Sequence, residues 1–266
     1  MFRYHLAMGT TVERAAEVEN RCRQAYIETR EIWDNFTGNP EFVTHHLGFR
    51  ILESPPCLRP DLLILSTNSG MDDTDPPNER DEWPDRCLYN AANESDFYEG
   101  EERLRQYGRP HRWLICRRLR DLFGDTHRQY LASSVPLHML FFKSSGIGRA
   151  QNGMGWKDNS LQIRRALERH SRDWTLQLIE MMEPRAILTL GFNPFDKLSK
   201  TDWQPLLLKE PDDQCIVKSK VFNGIPVLGI IHPTGGVGIT NNDRQRMGVC
   251  LRNFLDEECA PRVATD

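Results

Sequence analysis

The chain lacks several things that would have fixed its class early. No apolar run in its 266 residues approaches the roughly 20 that a membrane-spanning helix needs. The opening Met1-Phe2-Arg3-Tyr4-His5 has no apolar core of a secretory leader, so the expected address is the cytoplasm. Seven cysteines, at 22, 57, 87, 116, 215, 250 and 259, are an odd number with no C-x-x-C spacing. That pattern argues against a disulfide framework, a zinc ribbon or a local iron–sulfur motif, and predicts reduced thiols. There is no G-x-G-x-x-G, no Walker lysine motif and no G-x-S-x-G, which removes the usual support for dinucleotide, P-loop and α/β-hydrolase readings. A surplus of positive charge is missing too: 34 basic against 38 acidic residues give a net charge of −4.

The charge that is present is unevenly spread. Residues 71–102 hold twelve acids against two arginines, whereas residues 109–120 hold five arginines and no acid. A local basic surface can bind a polyanion despite an acidic total. The acidic stretch, with Pro76, Pro77 and Pro84 and little periodicity, reads as a long insertion over residues 71–108. Its acids are either a solvated run or a metal site.

Apolar runs and breakers outline the rest. Thr10-Thr11-Val12-Glu13 reads as a capping box opening a helix to about Phe36, part of an N-terminal extension over residues 1–58. Helices are also predicted at about 109–123, 159–183 and 240–254. Four runs read as buried strands: Asp61 to Ser66, Val135 to Phe142, Arg185 to Leu190 and 226–231, with an extended edge segment at 215–222. Strands alternating with helices predict one α/β domain, a three-layer α/β/α arrangement around a mainly parallel four-stranded sheet.

Each predicted strand runs into a small or polar cluster: Asn68-Ser69-Gly70, Lys143-Ser144-Ser145-Gly146, Gly191-Phe192-Asn193 and His232-Pro233-Thr234-Gly235. Open α/β sheets bind ligands at these carboxyl ends. In order and strand context the clusters resemble the uracil-DNA glycosylase superfamily. That family carries a G-x-[ND]-P-G-like motif after its first core strand, matched by Ser66-Thr67-Asn68-Ser69-Gly70. Its H-P-S-like motif after the last strand is matched by His232-Pro233-Thr234-Gly235. The segment from Glu183 to Gly191 resembles the family's third strand, and the resemblance spans roughly residues 60–255.

The resemblance implies a monofunctional DNA glycosylase, without metal or cofactor, acting as a monomer on a flipped-out nucleotide in DNA, with no membrane partner. Asn68 would position the attacking water, with Asp72 or Asp73 as alternative general bases. His232 would donate a hydrogen bond to the departing base anion. Pro233, Thr234, Gly235 and Gly236 would press on the DNA backbone, with Ser145 and Arg149 as further DNA contacts. Ser69, Gly70, Phe142, Lys143 and Ser144 would line the base.

Two positions depart from the family pattern. Ser69 replaces the usual proline, and Met139-Leu140-Phe141-Phe142-Lys143 offers no counterpart to the family's pyrimidine-reading asparagine. A site that has lost that amide loses its hydrogen bonds to uracil. The expected substrate is therefore a non-standard base, such as a bulky modified cytosine of phage DNA, which would make this a defence enzyme. Rival readings are repair of uracil or a damaged base, a modified-DNA reader without catalysis, and a metal-assisted nucleoside hydrolase using the acids at 71–75.

Overall fold

A computed structural model describes residues 10–68, 83–90, 112–151, 153–210, 212–235 and 238–259. Ser69, Gly70, Asp72, Asp73, Gly236 and nearly all of the acidic insertion lie outside the described residues.

Six strands form one mixed sheet: β1 (Leu62–Ser66), β2 (Val135–His138), β3 (Ala186–Leu190), β4 (Gln204–Leu208), β5 (Cys215–Phe222) and β6 (Ile225–Ile230). Their spatial order is β2-β1-β3-β6-β5-β4. The first four in that order are mutually parallel, and β5 and β4 continue the sheet antiparallel. The expectation of four strands is thus corrected to six. β5 is the predicted edge segment, whereas β4 carried no signal. It is mostly exposed, contains Pro205 and is irregular in register, the habits of an outermost strand.

Six helices accompany the sheet among the described residues: α1 (Thr11–Asn35), α2 (Arg112–Phe123), α3 (Arg128–Ala132), α4 (Leu161–Met182), α5 (Phe192–Leu198) and α6 (Asn241–Glu258). The side chains of a strand alternate between faces. Leu63, Leu65, Ile187 and Val227 accordingly join one core with Val18 and Cys22 of α1 and Leu167 and Leu178 of α4. Leu62, Ile64, Leu188 and Leu228 join a second with Leu119 of α2 and Leu251 of α6. Two cores on opposite faces make three layers, and explain why β1 and β3 are buried along their whole length and mostly apolar.

The Thr10 capping box is present, with Glu13 and Thr10 bonded reciprocally. Beyond α1, residues 48–53 run antiparallel along the outer edge of β2 and its continuation. Phe49 faces Phe142 and Leu52 faces Leu137 in isolated bridges. Arg50 N–H donates to Phe141 O at 2.7 Å and His138 N–H to Ile51 O at 3.1 Å. The extension therefore covers a strand edge that would otherwise be open. β2 itself ends at His138 rather than Phe142. At the other end, Asn223 and Gly224 both take positive φ (50° and 82°), the demand of a two-residue turn joining β5 to β6.

Gly229 in β6 faces the buried ring of Phe195, and a Cβ there would lie 2.5 Å from Phe195 Cδ2. Gly229→Ala is expected to cost about 1–3 kcal/mol by overpacking. Urea unfolding measures this, and a loss under about 0.5 kcal/mol would show that the ring moves aside freely.

Candidate active site at the strand ends

Register places the rim. Leu65 of β1 is level with Thr189 of β3, and Thr189 with Gly229 of β6. Asn68 and His232 each lie three residues beyond that row, on the carboxyl edge of the sheet. Two strand spacings separate their strands, about 10 Å. The sequence-predicted pair is thus brought to one rim.

Asn68 is half-buried and held by the loop after β2. Its Nδ2 donates to Ser144 Oγ at 2.9 Å, and Ser144 Oγ donates in turn to Gly146 O at 3.0 Å. Because the Ser144 proton is committed to a carbonyl, the hydroxyl can only accept from Asn68. That fixes the amide: NH₂ toward Ser144, leaving Oδ1 to accept a hydrogen bond from another group. Ser144 is fully buried, so its place is set by packing.

His232 follows β6 in a tight turn, where Gly235 N–H donates to His232 O at 3.2 Å. Thr234 N–H points at His232 Nδ1 at 3.4 Å, and Thr234 Oγ1 lies 3.0 Å from the same atom. An amide N–H can only donate, so Nδ1 is the acceptor and the neutral ring carries its proton on Nε2. Burial pushes the imidazole pKa below its ordinary 6.5, which favours that neutral form. His232 also borders a cavity of about 370 Å³ between α2, α6 and the β6 exit. Its polar lining includes Arg118, Asp121, Asn241, Arg244 and Gln245.

The other predicted positions divide. Pro233 is buried, whereas Thr234, Gly235, Ser145 and Arg149 are exposed on the rim loops. Phe142 is fully buried, its ring 6.2 Å from that of Phe42 and 6.3 Å from that of Phe49. It is a core residue with no face for a base to stack on. Lys143 is buried as well, and its N–H donates to Gly48 O at 3.0 Å. Among the described residues no three His, Cys, Asp or Glu side chains are grouped to hold a metal.

Sequence reasoning missed a polar chain just beneath the rim. Ser66 and His138 are register partners at the ends of β1 and β2. Ser66 Oγ lies 2.5 Å from His138 Nδ1, and His138 Nε2 lies 3.1 Å from Glu53 Oε1. Ser66 is 5% exposed, and His138 and Glu53 1% each. A carboxylate only accepts, so His138 carries a proton on Nε2, and its Nδ1 accepts a hydrogen bond from the Ser66 hydroxyl. Such a hydroxyl–imidazole–carboxylate order resembles a nucleophilic triad, but its depth makes it a scaffold. It ties the covering segment, β2 and β1 together two residues below Asn68. The signal available in sequence was a histidine inside an apolar run, Val135 to Phe142.

No protein-family model matches this chain, and no curated protein matches it.

Proposed function

We propose that the chain is a monofunctional DNA glycosylase of the uracil-DNA glycosylase type, and that it hydrolyses the N-glycosidic bond of a flipped-out, non-standard base. One observation carries the reading: an amide of fixed orientation and a neutral, Nε2-protonated imidazole stand on the same rim row of an α/β sheet. Asn68 Oδ1 accepts a hydrogen bond from the attacking water and holds it against C1′ of the sugar. The C1′–N bond breaks with its electron pair leaving on the base, the water oxygen bonds C1′, and the water's proton passes to solvent. An amide cannot take that proton, so stabilisation of the leaving group carries much of the barrier. His232 Nε2–H supplies it by donating to the base anion. The product is an abasic site.

A bulky modified cytosine is the proposed base. The missing pyrimidine-reading asparagine argues against plain uracil. The polar cavity beside His232 offers arginine, carboxylate and amide groups able to bond the hydroxyls of a large polar substituent. DNA is the partner on this reading, the working unit is a monomer in the cytoplasm, and phage DNA is the source of such bases.

The test is base release. Uracil-containing, damaged and hypermodified DNA are incubated with the protein and assayed for alkali-labile abasic sites. Release from modified DNA is expected, lowered about 100-fold by Asn68→Ala through loss of water positioning, with DNA binding retained. Tight binding to one DNA without release from any would replace the enzyme by a reader.

A further inference from the structure

The face of the molecule behind Met139 and Leu140 has a charge arrangement that the reaction does not use. Met139 N–H donates to Ser66 O and Leu140 N–H to Thr67 O, so these two residues flank the segment that delivers Asn68. They also line a cavity of about 480 Å³ between α4, α5 and the turn after α5, on the side of the sheet opposite the His232 cavity. Around it stand Arg165, Arg169 and Arg172 of α4, with Lys197 and Lys200 across the gap. The arginines are spaced i, i+4 and i+7, which puts them on one helix face.

The nearby acids offset this set only in part. Asp196 pairs with Lys218 at 2.6 Å, whereas Glu168, whose Oε1 accepts the neutral Trp156 indole N–H at 2.6 Å, and Asp173 keep their charges, which leaves five cations against two carboxylates. Among the described residues none of the five cations makes a side-chain hydrogen bond or ion pair. Like charges at this spacing repel one another. A row of unpaired arginines on a concave surface therefore fits an anionic ligand that arrives with the missing charge. Arg165 to Arg172 spans seven residues at 1.5 Å each, about 10 Å. Phosphates of one strand rise about 3.4 Å apiece along the axis of a duplex and wind around it, so a row of about 10 Å is on the scale of two or three neighbouring phosphates.

We infer that Arg165, Arg169, Arg172, Lys197 and Lys200 form a track for the phosphodiester backbone of the DNA strand as it leaves the rim at Asn68. The choice of a DNA strand rests on the proposed function, and the track itself rests on charge and spacing. Guanidinium groups bond phosphate oxygens in pairs, and the lysines add point charges from the opposite wall. The contacts carry no sequence information and serve to set the strand's position.

Fluorescence anisotropy of the full chain with labelled duplex and single-stranded oligonucleotides, titrated across a range of salt, tests this. In an Arg165→Gln/Arg169→Gln/Arg172→Gln variant, affinity at fixed salt is expected to fall about tenfold or more. The slope of log K against log salt becomes shallower by about 2–3, as three lost phosphate contacts require. The triple Arg→Lys variant keeps the charge and restores the slope. Circular dichroism with a thermal melt confirms that the Gln variant is folded, as its exposed positions lead one to expect. An unchanged slope overturns the inference. Displacement of the oligonucleotide by inorganic phosphate at low millimolar concentration also overturns it, because the site would then hold a small anion rather than a strand. A chain that binds along this track and releases no base overturns the catalytic reading alone. One that releases base with a variant slope like wild type overturns the track alone.

Discussion

His232→Ala is expected to lower the rate of base release by about 10²–10³-fold, with DNA affinity changed little. The figure is that of one preorganised donor aimed at developing charge in a water-poor site. The geometry makes His232 such a donor: Thr234 N–H occupies Nδ1, so Nε2–H is the end that remains to donate. Single-turnover release from modified DNA measures the effect. A loss smaller than about fivefold would remove His232 from leaving-group stabilisation.

The same residue fixes the sign of a pH dependence. Burial lowers the His232 pKa below 6.5, so the neutral ring persists to lower pH than in a free imidazole. Protonating Nδ1 would set its N–H against the Thr234 N–H and turn the ring out of its donor position, so base release should decline along an acid limb with its half-point below 6.5, which His232→Ala abolishes. Stability follows the same direction. A folded-state pKa below the unfolded one means that the unfolded chain binds the proton first. The contribution is whole above 6.5, and it is lost as pH falls from there through the lowered pKa. A limb centred above 6.5 would contradict the burial argument.

Glu53→Ala is expected to be the most damaging single change to stability, by about 3–5 kcal/mol. The carboxylate is 1% exposed and meets His138 Nε2 at 3.1 Å and Arg50 NH1 at 3.5 Å. Removing it takes one acceptor from the buried Nε2–H and one counter-charge from a mostly buried guanidinium. Glu53→Gln retains an acceptor for His138 and loses only the charge, so its cost should be clearly smaller. Guanidinium chloride unfolding gives both values. A cost below about 1 kcal/mol for Glu53→Ala would mean that water enters the cavity and replaces the carboxylate.

What was legible in sequence follows from where burial is continuous. Leu62 to Leu65, Ala186 to Leu190 and Val227 to Ile230 are buried on both faces, so their apolar runs announce parallel strands and their ends announce the rim. Asn68 and His232 could be found because each lies directly after such a run. β4 could not be, since Gln204, Pro205 and Leu206 face solvent and pack against little. α5 was missed because Phe192-Asn193-Pro194-Phe195 is too short for periodicity. Phe142 was misjudged for a related reason: hydrophobicity marks a ring without saying whether it faces a ligand or other rings. The chain of Glu53, His138 and Ser66 has no local spacing at all. Only the pairing of Ser66 with His138, two strands folded from distant parts of the chain, brings it together.

The Asn223–Gly224 turn has a consequence for the order in which the molecule assembles. β5 and β6 are neighbours in sequence, and a hairpin of that kind closes in microseconds. β1 has no such neighbour: it pairs with Val135–His138 on one side and Ala186–Leu190 on the other, each reached only after a long loop closes. Pairings of this range are the slow ones. During synthesis the segment ending in Asn68 leaves the ribosome well before β3, the strand that carries the sheet on from β1 to β6. The strand ends that bear Asn68 and His232 thus come into one row only when β6 has emerged, so no chain that stops short of His232 brings the two together.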